Sequence, residues 1–259
     1  MAVDPCFLAT AVETVVRAGN IQIAKFGTGV AVVKKGAIDL VTEVDIEIEV
    51  MFRALVAGRF PDHDVMGEEQ GLGSDGSRHR WVFDPLDGTT NYAHGVPIFC
   101  ASLALEIDGE AVLGAVYDPN RRELFTAEAG VGAWLNGQPL ATSKQATVLE
   151  SMIVTGFPYH VQQEPDELLR VFGQVIRRAR AVRRLGSAAI DLCWVAAGRM
   201  EGFWEASLKP WDTRAAALIV EAAGGRVTGT DGGKWRPDQG HILATNGLIH
   251  DEMIEILGA

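Results

Sequence analysis

Residues 81–92, WVFDPLDGTTNY, run an apolar strand straight into two aspartates three positions apart, a glycine and two threonines. Asp-Pro and Asp-Gly are both turn formers, and a buried strand must end in a turn somewhere. A turn explains the residue types here but not the company they keep. Glu68 and Glu69 follow the short apolar run DVMG, and Asp212 follows LKPW and opens a helical pattern. Each of these acids stands where an ordered element becomes a loop. In layered α/β proteins such ends converge on ligand crevices.

Taken singly, each acid has a plain reading. Asp212 suits a helix N-cap, Glu68 and Glu69 a solvated pair, and Asp84 a turn initiator. Taken together they suit hard cations. Mg²⁺ takes oxygen ligands and prefers a few carboxylates completed by water and substrate phosphate. Asp84 and Asp87 flank Pro85 and can address one point, and the Leu86 carbonyl between them can add a neutral ligand. Thr89 and Thr90 then open a helix whose free N–H groups face an anion.

The 259-residue chain is nearly half apolar with a formal charge of −11. That balance fits a compact globular protein and speaks against a general nucleic-acid binder. It leaves an anionic substrate open, because bound metal neutralises the acids that hold it. The cysteines, Cys6, Cys100 and Cys193, are odd in number and lack metal-ligand spacing. Cys100 and Cys193 lie in apolar runs and read as buried free thiols, which suits a reducing, cytoplasmic setting. Asp4, Glu13 and Arg17 break up the early apolar residues, so neither a signal peptide nor a membrane span is expected.

Apolar spacing predicts a helix from Pro5 to Phe26. The run DLVTEVDIEIEVMFRALVAGRF carries a second helical face at Val44, Ile48, Met51, Phe52, Leu55 and Val56, with Asp45 near its start. The alternation in VDIEIEV also fits a strand. HDVMGEE and RWVFD read as strands ending in carboxylates. FCASLALEI, AVLGAVYD and RELFTAEA are separated by DGEA and DPNRR, which are hairpin signals. MIVTGF, MEGFWEA and HILATN read as further strands. Glu167–Arg178, the segment after Ser187 to Ala197, WDTRAAALIVEAAGG and LIHDEMIEIL read as helices. These elements predict stacked helix and sheet layers, with a soft division into halves near residues 145–150. RRARAVRR at 177–184 gathers five arginines. It reads as a solvated helix end or as a docking patch for an acidic partner or RNA.

DPLDGTTN closely resembles the DP-(I/L)-DGT-x-N signature of the inositol monophosphatase family. DLVTEVD at 39–45, GEE at 67–69, GSAAIDL at 186–192, GFWE at 202–205 and WD…GG at 211–225 match in order and spacing, over nearly the whole chain. Arg214, Ala216 and Ala222 depart from the last motif, where an alanine, a glycine and a glutamate are usual. They fall on the body of a helix, so altered packing is expected there.

The resemblance implies an α/β fold of the layered α+β type. This is the α-β-α-β-α five-layer sandwich of inositol monophosphatases and fructose bisphosphatases, formed here by residues 1–259 as one catalytic domain. It implies two to three Mg²⁺ ions, held by Glu68, Asp84, the Leu86 carbonyl, Asp87 and Asp212, and inhibition by lithium. It implies hydrolysis of a phosphate monoester by metal-activated water, with Glu68, Thr89 and Asp45 as catalytic residues. Neither a histidine nor a cysteine stands in these motifs, so no covalent phosphoenzyme is expected. Substrate contacts fall on Asp87, Gly88, Thr89, Gly186, Ser187, Ala188, Glu205 and Asp212. Inositol 1-phosphate is the expected substrate, fructose 1,6-bisphosphate the alternative, and a homodimer the expected assembly.

Overall fold

The computed structural model of the protein describes residues 4–36, 40–73, 76–163 and 165–259. Asp39, which opens the DLVTEVD motif, lies outside the described residues. The first helix, α1, spans Pro5–Lys25 and is capped by Asp4, whose side chain accepts from Cys6 N. β1 (Val32–Lys34) and β2 (Leu40–Thr42) then form an antiparallel hairpin, and α2 spans Glu43–Arg59.

The segment DLVTEVD holds a strand that its residues do not signal, followed by the expected helix with Asp45 in its first turn. Leu40–Thr42 is strand, and Thr42 is the N-cap of α2. Its hydroxyl accepts from Val44 N while Asp45 accepts from Thr42 N. This reciprocal capping box fixes where a helix begins. Beyond it the fourfold spacing wins over the alternation. Val44, Ile48, Phe52 and Val56 are buried, whereas Ile46 and Val50 face solvent.

The larger sheet holds β3 (Asp64–Gly67), β4 (Gly71–Leu72), β5 (His79–Asp87), β6 (Cys100–Ile107), β7 (Glu110–Asp118), β8 (Glu123–Glu128), β9 (Gly132–Leu135) and β10 (Gln138–Pro139). Their spatial order is β10-β9-β8-β7-β6-β5-β3-β4. β3 and β5 pair in parallel, and the meander from β5 to β10 is antiparallel. Asp108 and Gly109 both take positive φ at the β6–β7 turn, which is why DG marks that hairpin.

The second sheet holds β11 (Met152–Thr155), β12 (Ala181–Arg183), β13 (Gly202–Glu205), β14 (Arg226–Thr228) and β15 (Ile242–Thr245), ordered β12-β11-β13-β15-β14. β12, β11 and β13 run parallel. The remaining helices are α3 (Thr89–Ala93), α4 (Pro165–Ile176), α5 (Ala188–Ala196), α6 (Pro210–Ala222) and α7 (His250–Gly258). The arginine-rich segment begins at a helix end, as expected, where Arg178 donates to the Gln174 carbonyl, and then enters the second sheet. α4 stops at Ile176, and Ala181–Arg183 pairs with β11 as the sheet's edge. Exposed arginines along such an edge discourage further strand pairing.

These parts stack as α1 and α2, the eight-stranded sheet, α5 and α6, the five-stranded sheet, then α4 and α7. The result is the expected α-β-α-β-α sandwich. Apolar side chains fill each gap, with the largest cluster around α5 and α6. Ala215, Ala216 and Ala217 are buried and let α6 approach β7, where Gly114 lies under the Ala215 backbone. Arg214 is buried as well. Its guanidinium meets Glu106 of β6 at 2.6 Å and donates to the Gly109 carbonyl. The departures at 214, 216 and 222 therefore lie along the α6 packing face, away from its first turn. Among the described residues no helix is long and apolar enough to cross a membrane.

Candidate metal and phosphate site

Asp84 and Asp87 end β5. Side chains three apart on a regular strand point to opposite faces. Here the pairing slips from Asp84↔Ser102 to Asp87↔Cys100, so β5 carries one extra residue. Such a bulge reverses the parity, and Pro85, which has no N–H to offer the ladder, sits inside it. Leu86 N donates to Asp84 Oδ1 at 2.9 Å, and Gln22 Nε2 donates to the Pro85 carbonyl at 2.8 Å. Gly88 takes a φ of 95°, and a Cβ there would meet the Ile98 carbonyl at 2.8 Å, so only glycine fits before α3.

Thr89 opens α3. Its hydroxyl lies 3.0 Å from the Leu86 carbonyl and 3.2 Å from Asp45 Oδ1. The other oxygen of Asp45 is held by Thr42 N and the Thr42 hydroxyl. The capping box of α2 thus orients the carboxylate that backs Thr89.

Three carboxylates are each tethered through one oxygen. Asp84 is held by Leu86 N. Asp87 Oδ2 accepts from the Ser187 hydroxyl at 2.5 Å and from Ala189 N at 2.8 Å. Asp212 Oδ2 accepts from Lys209 N at 2.6 Å. Asp212 is therefore not the N-cap. Lys209 holds that position, and Asp212 reaches back to it from the first turn of α6. Glu68, just past β3, faces the charge of Asp84. Residues from the eight-stranded sheet and from α5 and α6 meet at this point.

Burial and mutual repulsion dominate the electrostatics. Burial pushes Asp84 well above the usual carboxylate range, reinforced by Glu68, Asp87 and Asp212. Burial likewise raises Asp212, and Glu68, Asp87 and Glu205 add to the effect. Asp87 is raised by burial against the pull of Ser187 and Ala189. Glu68 is pushed up to about 7 by burial, opposed by Lys35. Asp45 is pushed up to about 6, again by burial first. Among the described residues no three acids, histidines or cysteines yet close around one point as a formed metal centre. The donor set nonetheless fits hard divalent cations. It consists of buried oxygens that repel one another, each anchored on one side and available on the other.

The sequence reading missed several contributors. Lys35, on the turn after β1, bridges Glu68 at 3.1 Å and Glu69. Buried Glu49 on α2 accepts from Glu69 N at 2.8 Å and Gln70 N at 3.1 Å and shapes the GEE turn. Asn91 Nδ2 donates to the carbonyls of Ile98 and Leu185, each at 2.9 Å, tying α3 to the Gly186 turn. The N in DGTTN was the available signal for Asn91. Lys35 and Glu49 lie in no motif.

Ser187 caps α5 as expected, but its hydroxyl faces Asp87. Glu205 ends β13, is buried, and is pushed up to about 8 by that burial, against the opposing charge of Arg184. Asp191, one turn into α5, is also buried and raised, with Glu205 and Asp87 as neighbours in charge. Cys100 and Cys193 are buried free thiols, while Cys6 is exposed.

The inositol monophosphatase family model matches residues 5–258. An inositol-1-monophosphatase from Synechocystis is 42% identical over 255 residues, covering 98% of this chain and 89% of that protein. A Nus factor SuhB from Pseudomonas aeruginosa is 41% identical, covering 84% and 82%. The crystal structure of an extragenic suppressor protein suhB from Bartonella henselae superposes with a TM-score of 0.92 at 36% identity, covering 97% of this chain and 98% of that one. The chain is a phosphatase and belongs to the inositol monophosphatase family.

Proposed function

We propose that this protein hydrolyses inositol 1-phosphate, with two to three Mg²⁺ ions held by Glu68, Asp84, the Leu86 carbonyl, Asp87 and Asp212. The observation that carries the reading is the convergence of a buried, mutually repelling acid cluster with the Thr89–Asp45 pair on one side and Glu205 on the other. When bound, the cations supply charge neutralisation for the phosphate and for the departing oxygen. The Thr89 hydroxyl donates toward Asp45 or the Leu86 carbonyl, which leaves its lone pairs to orient an attacking water. Asp45, raised to about 6, is a stronger base than an ordinary carboxylate and stands behind Thr89 for the water's proton. The water's oxygen joins phosphorus as the ester oxygen leaves, and a water near Asp212 supplies the proton that makes the departing oxygen an alcohol. Asp87, Asp212 and the Gly186–Ala188 turn frame the phosphate and the leaving group, and Glu205 binds polyol hydroxyls.

Fructose 1,6-bisphosphate is the alternative substrate. The Arg184 guanidinium beside Glu205 favours it, since a cation there suits a second phosphate. A docking role for the five exposed arginines at 177–184 is a reading of another class, and some relatives carry the name Nus factor. Neutralising those arginines while following turnover and partner pull-down separately tests it.

The deciding experiment is kcat/KM for both phosphates at saturating Mg²⁺ in wild type and Glu205→Gln. A hydrogen bond to a charged group is worth roughly 1.5–3 kcal/mol. Inositol phosphate turnover is expected to fall roughly ten- to a hundredfold, with a smaller loss for fructose bisphosphate. An equal small loss for both removes Glu205 as a selector. A large rise in the Mg²⁺ requirement makes it a metal ligand instead.

A further inference from the structure

A cavity of about 690 Å³ opens beside Glu205, at the carboxyl ends of the parallel strands β11 and β13. That is where ligands bind in α/β sheets. Its apolar lining includes Phe157, Val171, Phe172, Trp204 and Leu257, and polar groups such as Glu167 and His241 lie beside them. The phosphate chemistry described above uses none of these. Phe157 and Phe172 stand edge to face at 6.0 Å, and the Arg184 guanidinium lies 5.6 Å from the Phe157 ring.

Glu205 is the wall shared with the acid cluster, and its charge acts on both Asp212 and Asp87. Gly156 keeps it there, because a Cβ at that position would meet Glu205 Oε2 at 2.0 Å. The volume lies within the roughly 300–1,000 Å³ of sites that hold drug-sized ligands, more than a six-carbon polyol fills. Three aromatic rings around such a space favour a flat apolar guest.

We propose that this cavity is a leaving-group subsite, taking an aromatic or similarly flat apolar group carried on the alcohol of the phosphate ester. The proposal rests on the phosphatase reading of the neighbouring acid cluster, and it extends the substrate class from bare polyols to ring-bearing alcohols.

The test compares ethyl phosphate with 2-phenylethyl phosphate on the Mg²⁺-loaded protein. Both release a primary alkoxide, so a difference reports the ring. Burying a phenyl group predicts a kcat/KM advantage of about tenfold or more for the phenylethyl ester. Val171→Trp, which fills the cavity, is expected to bring the ratio to about one while leaving ethyl phosphate turnover within about twofold. Phe172→Ala, a second variant that removes a wall, is expected to lower the ratio several-fold. Separately, 2-phenylethanol alone is titrated by calorimetry, with binding expected to wild type and not to Val171→Trp.

Equal turnover of the two esters in wild type, or calorimetric binding that survives Val171→Trp, overturns the subsite. If no phosphate ester is turned over, inositol 1-phosphate included, the proposed function fails. The alcohol titration then decides the cavity on its own.

Discussion

Two buried polar clusters, one in each half of the sandwich, meet burial in opposite ways. In the second sheet His250 is fully buried between two threonines, with Nε2 2.9 Å from Thr228 Oγ1 and Nδ1 2.9 Å from Thr245 Oγ1. The Thr228 hydroxyl donates to the Gly229 carbonyl and so accepts from Nε2–H. The Thr245 hydroxyl accepts from Gly247 N and so donates to Nδ1. Every partner is matched and the imidazole is neutral, with burial holding it down at about 4. The acid cluster at the end of β5 has the reverse composition, with acceptors gathered on acceptors and raised by one another. A closed inventory holds a fold together. An inventory short of positive charge marks where a ligand belongs.

The strongest attempt to break this contrast is Asp84→Asn. Turnover is expected to fall about 10³-fold or more, while thermal stability in chelator holds or rises, because one repelling charge is gone. Near-normal turnover removes the reading of the cluster as a metal site. His250→Ala is expected to do the opposite. Stability in urea should drop by roughly 2–4 kcal/mol, from the cavity and two unmatched hydroxyls, with turnover per folded molecule unchanged. A loss of turnover at full stability would tie His250 to function.

pH sharpens the comparison. His250 has a folded value of about 4 against an ordinary 6.5, so protonation favours the unfolded chain. Its contribution is complete above about 6.5 and is lost as pH falls towards 4, worth roughly 2–3 kcal/mol in acid unfolding. His250→Ala is expected to flatten that slope. The acids run the other way. Their folded values are raised, so in chelator their ionisation costs stability as pH climbs from about 4 through the range of Asp45 and Glu68, about 6 to 7. Mg²⁺ cancels that cost, so its stabilisation is expected to be larger at pH 8 than at pH 6, by roughly 1–2 kcal/mol. Equal Mg²⁺ stabilisation at both pH values would mean the cations bind elsewhere.

The acids were legible in the sequence because each ends a local apolar run, a feature carried by neighbours in the chain. The layered architecture was legible for the same reason, since helix and strand periods are local. What sequence left hidden depends on distant partners. Lys35 meets Glu68 across 33 positions, and Arg184 meets the Phe157 ring and opposes the Glu205 charge only once β11, β12 and β13 lie side by side. The strand Leu40–Thr42 is not legible, because it forms only through pairing with β1. Taken singly, Asp212 also suits an N-cap, because acid before an apolar run fits that role, but Lys209 takes that position and Asp212 belongs to the acid cluster. The stretch at 177–184 shows its helix end by charge, but the strand Ala181–Arg183 exists only through pairing with β11.

The extra residue in β5 has a consequence for how the chain can change. Because the bulge sets which face Asp87 occupies, the spacing between the two aspartates works as a counter, and its reading matters more than the identity of what is counted. Replacing Leu86 by another apolar residue leaves the count intact and keeps a backbone carbonyl in place. Deleting Leu86 would restore a regular ladder with the two aspartates two apart and still on one face, but it would remove the carbonyl between them and the N–H that holds Asp84, though every acid in the motif would still be present. A deletion of a kind that surface loops absorb freely would therefore cost this short interval a ligand and a tether while leaving its acids in place.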